Sequence, residues 1–97
     1  MNDVQGVLFD QLEKETGFMS SPTQMMKTPS AMAIVALGRG VLPRALHELE
    51  EHHAVWAWFE ILASILGKWP EIPEKQRGRV EYMRKAWISL LKETLNV

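Results

Sequence analysis

Ninety-seven residues, 46% apolar and 24% charged, make one globular domain, 1–97, because so short a chain has no room for two ordinary cores. Eleven Lys and Arg against twelve Asp and Glu leave a formal charge of −1, which removes the global attraction that non-specific nucleic-acid and membrane-surface binders rely on. The absence of cysteine excludes a disulfide framework, thiolate metal sites and a cysteine nucleophile, and it fits a reducing compartment, the cytoplasm being the simplest.

Residues 2–16 space Val4, Leu8 and Leu12 along one face beside Phe9, with Asp3, Asp10, Glu13 and Lys14 on the others. This is the period of an amphipathic helix, and Gly17, free to turn left-handed, ends it. The acidic residues rule out a signal-peptide core here. The longest apolar run, Ala31 to Leu37, is far short of the ~18 residues of a membrane span. Ser21-Pro22-Thr23-Gln24 is a helix start, with Ser21 as N-cap, Pro22 at the first helical position and Gln24 placed to bond back to the cap amide. Thr28-Pro29 repeats the cap-plus-proline signal, so a short helix at 22–27 is followed by a fresh one from Pro29 to about Leu37, closed by Gly38.

Val41, Leu42, Ala45, Leu46 and Leu49 then form one stripe, with Arg44, Glu48 and Glu51 outside it. The spacing predicts a helix over about 40–51 with Pro43 in its first turn. Residues 54–66 are apolar nearly all round and free of Gly and Pro, which places this helix at the centre of the fold, with Gly67 ending it. Residues 68–78 hold two prolines and a glycine among charges and read as a loop. After them Val80, Met83, Trp87, Leu90 and Leu91 recur at helical spacing, while Glu81, Arg84, Lys85, Lys92 and Glu93 face outward. No segment alternates as a strand does, and no repeat appears. The fold class is all-α, a compact bundle of four to five short helices.

Several pieces form a recognisable pattern: Ser20-Ser21-Pro22-Thr23-Gln24 with Met26-Lys27 and Pro29; Gly38 followed by Val41-Leu42-Pro43 and Leu46; Trp56-Ala57-Trp58-Phe59; Gly67 with Pro70 and Pro73; and Gly78, Met83 and Trp87. In these pieces the stretch from Ser20 to about Lys92 resembles a family of small uncharacterised bacterial proteins, many of them cyanobacterial. It departs from that pattern within the aromatic segment and after Gly67, where Lys68-Trp69 replaces the usual polar pair. The resemblance implies a compact helical fold in a bacterial cytoplasm and transfers no catalytic residue.

Three constellations invite chemistry. His47, Glu51, His52 and His53 gather at the end of the 40–51 helix, but the zinc-protease spacing needs a second histidine at position 51, and its inverted form needs one at 48. Both positions are Glu. A solvated helix end is the plainer reading, and no metal or other cofactor is expected. Lys75, Arg77, Arg79, Arg84 and Lys85 collect where the loop enters the last helix, whose free amides attract anions. No phosphate-binding fingerprint accompanies them, and Glu74 and Glu81 offset their charge. Arg39, between Gly38 and Gly40, reads as a helix-break residue. No nucleophile elbow or paired acid–base arrangement is present, so an enzyme is not expected.

The aromatic load is the third constellation. Trp56 and Trp58 lie about 200° apart on a helix, so they cannot both face one core. Together with Trp69 in the proline loop, the outward one forms either an anchor of the kind that dominates protein interfaces or the second face of an enlarged core, and six methionines suit an adaptable surface. The expected function is a small cytoplasmic protein–protein interaction module using Trp56, Trp58 and Trp69, an antitoxin-like or immunity-like regulator being one version. The alternatives are a nucleic-acid-binding regulator using the basic segment 75–85, and a homodimer whose exposed aromatics face each other.

Overall fold

The computed structural model describes residues 4–17, 19, 21–53 and 55–97. The expected helix starts at residues 2 and 54, and Ser20 of the opening motif, lie outside the described residues. The order is α1 (Val4–Thr16), α2 (Pro22–Met25), α3 (Pro29–Leu37), a 3-10 turn at Gly38–Val41, α4 (Leu42–Glu50), α5 (Val55–Leu66), a second 3-10 turn at Glu74–Gln76, and α6 (Val80–Leu95). Five helices run from nine to sixteen residues and α2 is a single turn of four. With no strand among the described residues, the protein is an all-α bundle.

The junctions show why the helices break where they do. Thr28 is extended, at φ −72° and ψ 147°. Its hydroxyl accepts from the Ala31 N–H at 3.3 Å and donates to the Met25 carbonyl at 2.8 Å. One side chain thus closes α2 and caps α3, with Pro29 preset in the first turn. Glu15 brings α1 to the same point, its Oε1 accepting from the Ser30 hydroxyl at 2.7 Å and the Ser30 N–H at 3.3 Å. A carboxylate at a helix N-terminus is favourably placed, and the Ser30 hydroxyl is the main reason the Glu15 pKa lies below its ordinary value.

Gly38 and Gly67 both leave their helices at φ 71°, a conformation that costs other residues a Cβ clash. Gly17 does not: its φ lies outside that range, and a Cβ there would sit 3.1 Å from the Glu13 carbonyl oxygen. Close approach, and not left-handed freedom, is what a small residue serves at the end of α1. The helix expected over 40–51 begins at Leu42 because the residues from Gly38 to Val41 wind as a 3-10 turn.

α5 is the central element, packing on α2, α3, α4 and α6, while α1 lies on α3 and α6 on α4. It contributes Ala57, Trp58, Phe59, Ile61 and Leu62 to a core shared with Leu12, Ile34, Leu49, Trp87 and Leu91. Each large side chain so buried stabilises by roughly 1.5–3 kcal/mol. The Cα radius of gyration, 12.6 Å, matches the ~12.5 Å of a compact domain of this length. No helix among the described residues is long and apolar enough to cross a membrane.

Candidate functional site

The tryptophans divide as the helical angle requires, and the packing decides which one faces in. Trp58 is 1% exposed and meets Phe9 of α1 edge-on at 5.0 Å. It is a core residue and does not belong to a partner surface, because it lies in the buried cluster that the helices share. Trp56 is 36% exposed and Trp69 47%. Neither is loose: Trp56 rests edge-on against Phe59 at 5.4 Å and Trp69 tilts against buried Trp87 at 5.5 Å. They rest on different partners, Trp56 on α5 itself and Trp69 on α6.

At the Trp56 end lies a cleft of about 280 Å³ bounded by Glu13, Thr16, Gly17, Met19, Met25, Val55, Trp56 and Ala57. α1 supplies Glu13 and Thr16, α2 supplies Met25, and α5 supplies Val55, Trp56 and Ala57. The wall is apolar apart from Glu13 and Thr16, and the Thr16 hydroxyl is already donated to the Leu12 carbonyl at 2.6 Å. Sequence reasoning missed Met19 as a site residue because it sits in a connection, where no periodicity marks a face. Met32 is exposed on α3.

In the basic segment three arginines are engaged within the chain. Arg84 is the clearest case, with its side chain only 12% exposed. Nη1 donates to the Leu49 carbonyl at 3.2 Å and Nη2 to Glu81 Oε2 at 3.0 Å. It fastens α6 to the C-terminal end of α4, where the helix dipole favours a cation, and is not a free phosphate ligand. Arg77 donates to the Ile72 carbonyl at 3.3 Å and lines an open depression of about 530 Å³ with Glu71, Ile72 and Pro73. Arg79 lies over the Tyr82 ring at 5.9 Å. Lys75 and Lys85 are exposed.

The histidine cluster is likewise divided. Among the described residues no three His, Asp or Glu side chains come together as a metal-binding set. His47 and Glu51 are exposed at the helix end. His53 Nδ1 pairs with Glu48 Oε2 at 2.8 Å, and Arg44 Nε reaches Glu48 Oε1 at 3.4 Å. The Glu48 hydrogen bond holds the His53 pKa above its ordinary value. Glu48, expected outside the apolar stripe, is 9% exposed, and the Arg44 guanidinium and the His53 imidazole on its two oxygens make that burial tolerable. His52 Nδ1 lies 3.6 Å from Glu81 Oε1 of α6.

Comparison with protein-family models, with curated proteins and with solved structures gives no match to the chain. Its function is therefore read from its own residues.

Proposed function

We propose that the protein is a small non-catalytic module that binds another protein at the Trp56 cleft, in concrete form an antitoxin-like or immunity-like regulator of a neighbouring gene product. Trp56 carries this reading. Its indole is exposed, braced by Phe59, and stands at a cleft walled by Met19, Met25 and Val55. A rigid, half-exposed tryptophan loses little freedom on binding and is a preferred interface hot spot. Methionine walls adapt to the side chain that enters. About 280 Å³ lies just under the ~300–1,000 Å³ of small-molecule sites and suits one inserted apolar side chain. Trp69, in the loop that follows α5, is a second anchor. The setting we propose is a bacterial cytoplasm, in keeping with the family resemblance and the cysteine-free composition.

The test is co-purification of the untagged chain with the products of its neighbouring genes, with the mass of the complex taken by light scattering. The expected result is a defined hetero-complex that Trp56→Ala weakens about tenfold or more without unfolding the chain. A complex indifferent to Trp56→Ala and Trp69→Ala sinks this surface.

Self-association is the second reading, and α3 favours it. Thr28 through Gly38 carry no charge, yet Met32 and Leu37 are exposed, as are Val4 and Val7 on neighbouring α1. An uncharged apolar helix face is more often covered than left to water. A clean dimer mass that Met32→Glu reduces to monomer would establish it. Nucleic-acid binding is disfavoured by the engagement of Arg77, Arg79 and Arg84 within the chain, and a mobility shift with random DNA that fades steeply with salt would restore it.

A further inference from the structure

We propose that the Trp56 cleft takes a basic protein segment: one aliphatic or aromatic side chain enters it, and a lysine or arginine beside that side chain meets carboxylates at the edge of the cleft. This rests on the reading of the cleft as a docking site and adds the chemistry of what docks there.

Met19, Met25 and Val55 beside the Trp56 ring offer apolar contact, and Glu13 is the one charged residue lining the cleft. Glu13 and Gly17 also line a neighbouring open depression of about 410 Å³, together with Asp10 and Lys14. On the other side, Glu60 is the only charged residue of α5. It stands four residues from Trp56 and so on the same helix face. That face runs from exposed Trp56 through half-buried Glu60 to exposed Ser64. Carboxylates from two helices therefore accompany the tryptophan.

Asp10, Glu13 and Glu60 against Lys14 leave two negative charges in excess here, whereas the whole chain carries −1. Asp10 and Glu13 are exposed. Among the described residues none of the three carboxylates is in an ion pair, unlike Glu48 and Glu81, which are met by Arg44 and Arg84. Their charge is available to a partner. Charges around an apolar contact select partners and speed encounter more than they add affinity. An acidic segment would bring like charges together here, while a cation beside the Trp56 ring gains from its π face as well.

The probes are two acetylated and amidated tetrapeptides with a central Phe-Leu pair, one flanked by lysines and the other by glutamates. Binding is followed through the NMR shifts of the Trp56 indole N–H and the Met19 methyl group. On the wild-type chain the lysine peptide should bind about three- to tenfold more tightly, the range of two exposed charge contacts. The preference should shrink at about 0.5 M salt. In Glu13→Gln/Glu60→Gln it should vanish while both peptides still bind, and in Trp56→Ala both should weaken. Equal binding, or a glutamate preference, that Trp56→Ala weakens overturns the basic-segment inference and leaves the cleft standing as a docking site. A lysine preference that survives in the double variant overturns it too. Shifts with neither peptide also overturn it, and the cleft itself is then judged by the effect of Trp56→Ala on the hetero-complex. The wild-type comparison decides even if a variant does not fold.

Discussion

The chain leaves α4 at His52, φ 66°, and leaves α5 at Gly67, φ 71°. The same backbone requirement is met in two ways. At the α4 end a histidine accepts a strained conformation, and its neighbourhood ties α4 to α6 through Glu81 and Arg84 and to α1 through Glu48 and Arg44. At the α5 end a glycine adopts the conformation without strain and offers no side chain. The loop that follows is held by Trp69 lying on Trp87 and by the Arg77 bond to Ile72. A polar junction answers to pH and ionic strength, whereas an apolar one answers to the volume of what it covers.

The largest effect should come from the apolar end. Trp87→Ala removes a fully buried side chain and should cost about 3–5 kcal/mol in urea unfolding. Trp69→Ala, which takes away a half-exposed ring, should cost about 1 kcal/mol or less. Equal costs would mean that the proline loop is part of the core and the contrast is mistaken. Next come the left-handed residues themselves. Gly67→Ala meets open space, so only backbone strain opposes it, and the expected loss is about 1–2 kcal/mol. His52→Gly should instead stabilise by up to about 1 kcal/mol near pH 8. A destabilising His52→Gly at that pH would break the comparison.

A junction of a third kind, with neither a left-handed residue nor a loop, sharpens it. Thr28→Ala deletes the hydroxyl that serves both α2 and α3 and should cost about 1 kcal/mol. The smallest effect is on the acid limb of the stability profile. Glu15 is held below its ordinary value of 4.5 chiefly by Ser30, so its contribution is complete above that pH and is lost as pH falls through the lowered value. In Ser30→Ala the acid limb should be shallower, and an unchanged limb would show that the α1 and α3 junction rests on packing alone.

What was legible beforehand was local. Thr28-Pro29, Gly38 and Gly67 mark helix boundaries because capping and φ preferences act within a few residues. The spacing of Val80, Met83, Trp87 and Leu91 marks α6 because a helix repeats its faces regularly. The angle between Trp56 and Trp58 was fixed in the same way, as was the expectation that one of them leaves the core.

Which one leaves was decided by the helices that enclose Trp58, Phe9 of α1 meeting its ring edge-on. The burial of Glu48, the Met19 and Trp56 cleft and the loss of Arg84 to a carbonyl 35 residues away were decided in the same way. A sequence by itself determines which backbone conformations its residues tolerate and where their side chains point around a helix. The use each face is put to depends on which helix arrives opposite it, because burial and ion pairing are energies between segments distant in the chain.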